Sequence, residues 1–256
     1  MPTFTSFDGL ELNYTIWAGQ STTGERPPVV LQHGFAADTN ANWIGPGVVA
    51  ALRTAGFTVI SLDARGHGRS AKPHEEDRYR EDTMARDVSA MLDELKLAEV
   101  ALVGYSMGAI IALAVTIGDE RIRRLVVGGV GRGIVVSGGV DTSVVTPEMI
   151  STALLAEDTA GLPPQSAPFR ALADALGADR EALAALARAV TSGPLELAAI
   201  KVPTLVLVGD ADPLAAEPER LSAAISGAEL RKVPGDHLTA VMDPAFSEAL
   251  VKFLNA

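Results

Sequence analysis

Ser106 stands in Gly104-Tyr105-Ser106-Met107-Gly108, a G-x-S-x-G stretch. A serine hydroxyl becomes a nucleophile near neutrality only when a base takes its proton and a carboxylate orients that base. The chain holds 4 histidines, and their surroundings separate them. His33 ends the apolar run Val29–Gln32 beside Gly34, where the loop suits oxyanion binding better than proton transfer. His67 lies between Gly66 and Gly68 in a turn, a place for a structural hydrogen bond. His74 belongs to a charged surface stretch. His237 follows the run Glu229–Val233 in Pro234-Gly235-Asp236-His237, at the end of an expected strand, and is the candidate base. For the carboxylate, the run Thr204–Val208 leads into Gly209-Asp210-Ala211-Asp212-Pro213. Asp212 is further past the strand end and better placed to reach His237 than Asp210, which is the alternative. Whichever is not used caps the turn or the segment after it. The order Ser106, Asp212, His237 is one of three unrelated orders in which such triads occur. The reaction also needs two fixed N–H donors for the developing oxyanion. The Met107 amide is one candidate, and the Phe35 amide in His33-Gly34-Phe35 is the other.

The surrounding elements must hold these residues. Ala101-Leu102-Val103 reads as a buried strand running into the serine turn, and Ala109-Ile110-Ile111-Ala112-Leu113 as an apolar helix leaving it. Gly104 and Gly108 lack Cβ atoms, so strand and helix can approach closely there. Phe4 to Phe7 and Leu10 to Trp17 flank Asp8-Gly9 as a hairpin. Polar residues 20–28 form a loop. Asn42 to Ala55 reads as a helix frayed by Gly45-Pro46-Gly47. Phe57 to Leu62, Val100 to Val103, Ile122 to Val127, Thr204 to Val208 and Glu229 to Val233 are further strands. Thr83 is expected to cap a helix with an apolar stripe at Met84, Val88, Met91, Leu92 and Leu95. The strands are short apolar runs separated by helical patterns, the signature of a parallel sheet covered on both faces. Right-handed crossovers put their C-terminal ends on one edge.

The stretch 131–195 differs. Beyond Gly133-Ile134-Val135-Val136 it has no strand signal. It offers helices over Pro147–Glu157, Phe169–Leu176 and Asp179–Val190, broken at Gly161-Leu162-Pro163-Pro164 and Gly177. The expected organisation is a core of 1–130 and 196–256 with 131–195 inserted as a small helical lid, tuning specificity through apolar residues such as Leu154, Leu155 and Phe169.

Composition limits the partners. The balance of 21 Lys+Arg against 32 Asp+Glu leaves a formal charge of −11, which argues against nucleic acid and anionic membranes. With 48% hydrophobic residues the chain can bury a large core, and with no Cys it has no disulfide or thiolate. The N-terminus has no basic region followed by an apolar run, and no stretch reaches membrane-spanning length. A soluble, cytoplasmic protein acting on a small molecule is expected.

His33-Gly34-Phe35, Asp63-Ala64-Arg65-Gly66-His67-Gly68-Arg69-Ser70, Gly104-Tyr105-Ser106-Met107-Gly108, Gly209-Asp210-Ala211-Asp212 and Gly235-Asp236-His237 occur in an order that resembles the α/β-hydrolase superfamily over the whole chain. The resemblance implies an α/β fold with a mostly parallel eight-stranded sheet, its second strand antiparallel, helices on both faces and a small lid. It also implies that Asp63–Ser70 is scaffold. Superfamily dehalogenases and epoxide hydrolases carry Asp at the nucleophile, against Ser106 here. Some members place the acid after the sixth strand, where Val127-Gly128-Gly129-Val130-Gly131 has no carboxylate. The elbow is similar to that of the menaquinone-biosynthesis lyase, but Ala109-Ile110 replaces that family's Gly-Arg. The expected function is that of a short-lid carboxylesterase-type serine hydrolase for a small, mostly neutral carboxylic ester, without a cofactor. The alternatives are a lyase or C–C hydrolase using the same triad, and a non-enzymatic small-ligand receptor on this fold.

Overall fold

The computed structural model describes residues 2–20, 26–139, 143–189 and 193–256. Residues 21–25 of the polar loop and Val190 of the third inserted helix lie outside them. Eight strands form one sheet: β1 (Thr3–Thr5), β2 (Glu11–Trp17), β3 (Val29–Gln32), β4 (Val59–Leu62), β5 (Val100–Tyr105), β6 (Ile122–Gly128), β7 (Thr204–Gly209) and β8 (Glu229–Val233). Their order is β1-β2-β4-β3-β5-β6-β7-β8. β2 pairs antiparallel with β1 and β4, and all other pairings are parallel, as the resemblance implied.

β3, β4, β5 and β7 are buried along their whole length, and β6 from Leu125 onward, because both faces are covered. Side chains alternate across a strand, so neighbours enter different cores. Val30, Leu102, Val127 and Val206 meet one layer, which includes α2 (Glu81–Glu94) and α3 (Met107–Gly118). Leu31, Val103, Val126 and Leu205 meet the other, with α1 (Val48–Thr54) and α9 (Pro244–Asn255). The edge strand β8 reads Glu-Leu-Arg-Lys-Val and keeps charged residues outward, which discourages edge-to-edge pairing.

Between β6 and β7 the chain forms α4 (Arg132–Ser137), α5 (Pro147–Leu155), α6 (Ala167–Leu176) and α7 (Arg180–Ala189); α8 (Pro218–Ala224) lies between β7 and β8. Two local expectations fail. The apparent strand signal at Gly133–Val136 belongs to helix α4. β-Branched residues favour strands only where a pleated neighbour receives them. Here the Arg132 amide donates to Ala216 O (2.8 Å), Ile134 is buried, and Gly138 ends the helix at φ 75°. Thr83 is not a cap either. α2 begins at Glu81 after the extended Arg80, and Thr83 N–H donates to Arg80 O (3.0 Å) from inside the first turn. Acidic Asp82 suits that turn because it complements the helix dipole. The frayed helix at 42–55 is two pieces, a π-helical turn over Asn40–Ile44 and then α1.

The loop after β4 is held by a buried ion cluster. Arg65, with no side-chain exposure, donates to both oxygens of Asp87 (2.7 and 2.6 Å) and to Asp8 (2.9 Å). An unpaired guanidinium would be intolerable there, so the two carboxylates fix the loop's course.

Candidate active site

The turn from β5 to α3 is tight for a reason visible in the atoms around it. A Cβ on Gly104 would fall 2.1 Å from Gly108 O, and one on Gly108 would fall 2.0 Å from Gln32 O. Ser106 at the tip has φ 54° and ψ −118°, a conformation non-glycine residues rarely hold. Its hydroxyl meets His237 Nε2 at 2.9 Å, and His237 Nδ1 meets Asp212 Oδ2 at 2.8 Å. The other Asp212 oxygen accepts from the amides of Leu214 (2.9 Å) and Ala215 (3.3 Å), so the carboxylate is fixed at both ends. Asp210 does not reach the histidine. Its Oδ1 accepts from Gly235 N–H (3.1 Å), tying the β7 loop to the β8 loop.

Phe35 and Met107, the expected amide donors, also come to this place. Phe35 lines the same cavity as Ser106, and Met107 begins α3 directly after it. Among the described residues neither amide donates to a protein acceptor. Gly34 N–H is occupied by Asn42 Oδ1 (2.8 Å), which leaves Phe35 as the available donor of that loop. The arrangement can accept a proton from Ser106 and hold an anion next to it.

The other histidines are not in this chain of bonds. His33 and His67 are buried and bonded through both ring nitrogens, and His74 pairs on the surface with Asp179 (3.0 Å). Burial pushes the His67 imidazole down to about 3, so it stays neutral.

Tyr105 was legible only as the second residue of the motif. In the structure its hydroxyl donates to the backbone carbonyl of His237 (2.9 Å), and its ring lies 5.6 Å from the imidazole. Burial raises the phenol and keeps it a donor. The room for both rings comes from Gly128 and Gly129, where an added Cβ would meet Tyr105 at 2.7 and 2.9 Å. That glycine pair at the end of β6 is the signal that sequence reading could have used. Asp236 fixes the same loop by accepting from the amides of Leu238 (3.0 Å) and Thr239 (2.9 Å), and the bonds from Thr239, side chain first, hold its carboxyl below the usual range.

Above Ser106 lies a cavity of about 580 Å³. Phe35, Val144, Val145, Pro168, Phe169, Leu172, Leu214 and Met242 make its walls apolar, and among the described residues no arginine or lysine lines it. Arg170 caps the end of α5 by donating to Ala153 O (2.9 Å) and Ala156 O (2.7 Å), while Arg132 pairs with Glu217 (2.6 Å). Of the three apolar residues expected to tune specificity, only Phe169 reaches the cavity. Leu154 is buried among the inserted helices and Leu155 faces outward. No described helix is long and apolar enough to cross a membrane.

A family model for the alpha/beta hydrolase fold matches residues 27–130. Non-heme chloroperoxidase CPO-A1 of Kitasatospora aureofaciens is 38% identical over 108 residues, 42% of this chain and 35% of that protein, so the match spans about a third of that relative. A Synechocystis sp. protein bearing the name of a non-heme chloroperoxidase is 31% identical over 258 residues, 89% of this chain and 90% of its own. The crystal structure of the enol-lactonase from Burkholderia xenovorans LB400 superposes with a TM-score of 0.80 at 26% identity, covering 100% of each chain. With that sheet, that elbow and likeness along nine-tenths of a relative, the chain belongs to the α/β-hydrolase fold family.

Proposed function

We propose that the chain is a serine hydrolase of small, mostly neutral carboxylic esters, including cyclic ones. The observation that carries this reading is the unbroken hydrogen-bond chain Ser106–His237–Asp212 beside two uncommitted amides. Ser106 Oγ attacks the acyl carbon while His237 Nε2 takes its proton. Asp212 keeps Nδ1 protonated and stabilises the imidazolium. The Phe35 and Met107 amides bind the oxyanion. The tetrahedral adduct collapses, the alcohol leaves with the proton from His237, and the acyl group stays on Ser106. Water then attacks the acyl carbon while His237 takes its proton, and the second adduct collapses as His237 gives a proton back to Ser106 Oγ and the acid is released.

The cavity supports a neutral substrate, since among the described residues no arginine or lysine awaits an anionic group there and the Asp236 carboxylate repels one. The same absence of a cation disfavours the lyase alternative. Residues 131–195 act as a lid, with Phe169 and Leu172 of α6 touching the acyl or alcohol chain. The relatives named for lactonase and chloroperoxidase activity are compatible with acyl transfer at such a serine. The test is labelling by a fluorophosphonate followed by an ester and lactone panel of graded chain length. Labelling at Ser106 with turnover of uncharged esters is expected. An unlabelled, folded protein that turns over no ester overturns the reading.

A further inference from the structure

Gly34 to Ala37 is a tight turn, closed by Ala37 N–H donating to Gly34 O (3.3 Å). Ala36, its third residue, has φ 58°. A turn with positive φ at that position ordinarily takes Gly or Asn, because a Cβ there crowds the backbone. Ala36 is held in that conformation from outside the turn. Its N–H donates to Nε2 of His67 at 3.1 Å, and His67 is oriented by its Nδ1–H donating to Arg65 O at 3.0 Å. His33 returns the contact. Its Nε2 accepts from Ala64 N–H (3.0 Å), and its Nδ1–H donates to Gly34 O (2.8 Å). The two rings meet edge to face at 5.0 Å. Each histidine thus leaves one loop and holds the backbone of the other. Phe35 lies between two tethers, Asn42 Oδ1 on the amide before it and His67 Nε2 on the amide after it.

We infer that His67 is a positioning residue for the oxyanion site, holding Ala36 in a strained turn so that the Phe35 N–H stays aimed at the reacting carbonyl. The inference rests on the proposed serine-hydrolase reading. His67 touches no substrate and transfers no proton. It works only as an acceptor, so its Nε2 must be bare. Burial that keeps the ring neutral supplies this across the working pH range.

The test pairs His67→Gln with His67→Met, side chains of similar reach that differ in whether the tip accepts a hydrogen bond. For His67→Met, kcat is expected to fall about 10–100-fold with KM little changed, as for a misaimed group near the reaction. Fluorophosphonate labelling of Ser106 slows in step, and the acid limb of the pH profile stays in place. His67→Gln keeps most of the rate. Ala36→Gly in the His67→Met background recovers part of the loss, because glycine holds φ 58° without outside help. A folded His67→Met protein with wild-type kcat, or equal losses in the Gln and Met variants, overturns the inference. Imidazole 15N shifts of the wild-type protein provide a second measurement that needs no variant. An unprotonated His67 Nε2 coupled to the Ala36 N–H is expected, and a protonated Nε2 overturns the inference. If the wild type itself neither labels nor turns over esters, the serine-hydrolase reading has failed. A labelled wild type with an indifferent His67→Met protein fails the inference alone.

Discussion

The two walls of the cavity are built by different means. On the sheet side directional hydrogen bonds fix the carboxylate, the imidazole and the Phe35 turn. Asp212 is held by two amides, His237 by Asp212 and by Tyr105 through its carbonyl, and the Phe35 turn by Asn42 and His67. The opposite wall is made by apolar side chains of residues 144–172, among them Val144, Val145, Phe169 and Leu172. α6 is anchored mainly through buried Arg170 and Ala173, one narrow face of the helix. Hydrogen bonds are directional and punish small displacements, whereas apolar contacts depend on area and tolerate repacking. The first wall suits a fixed reaction geometry, and the second suits a selectivity that can change without disturbing it.

The contrast can be broken most severely at Ser106. Ser106→Ala is expected to lower kcat by roughly 10⁴–10⁶-fold and abolish fluorophosphonate labelling, with the thermal transition unchanged. Near-normal turnover in the folded variant would remove the sheet-side wall from the chemistry. Next comes the carboxylate. Asp212→Asn should reduce kcat about 10⁴-fold by losing the orientation of His237 and the charge that stabilises it. Asp210→Asn, which only loosens a loop-to-loop bond, should be nearly silent in steady-state kinetics. The reverse ranking would exchange their roles.

On the other wall the effects should be smaller and selective. Phe169→Ala and Leu172→Ala are expected to shift relative kcat/KM between short- and long-chain esters by about 10–200-fold, the range of single apolar pocket contacts. A panel of graded esters checks this, and a uniform loss across the panel would mean that these residues support the fold alone. The smallest effect is on stability. His67 titrates near 3 when folded against about 6.5 in an unfolded chain, so the unfolded state binds more protons between those values. Stability should therefore fall as pH drops from about 6.5 toward 3, this residue contributing at most about 1.4 kcal/mol per pH unit. Urea melts of His67→Gln across that range should show a shallower decline than the wild type.

The residues that meet in the site were legible because each stands at the end of a short apolar run. The runs read as parallel strands, and parallel strands bring their ends to one edge, so Ser106, Asp212 and His237 could be placed together from order alone. Asp212 was separable from Asp210 by reach past the strand end. The contacts between loops were not legible. Nothing in Gly66-His67-Gly68 says that its imidazole bonds to Ala36, or in Gly104-Tyr105-Ser106 that the phenol holds His237 O, since these distances exist only after the sheet is assembled. Helix α4 was misread because Ile134-Val135-Val136 has strand-like composition while its packing against the loop near Ala216 dictates a helix. Leu154 and Phe169 look alike in a helical pattern, and only the packed orientation of α5 and α6 tells the one in the core from the one at the cavity.

Helix α3, which starts beside Ser106, is buried from Met107 through Leu113, with no solvent face along that stretch. The opening that would expose its amides to exchange with deuterated solvent is close to unfolding of the whole sheet. Its amide protons should be among the last in the chain to exchange, while those of α6, held by one face, exchange through smaller local openings. Ser106 is thus carried on the part of the molecule expected to yield least, and the wall it faces is expected to open locally many times for each event that would disturb it.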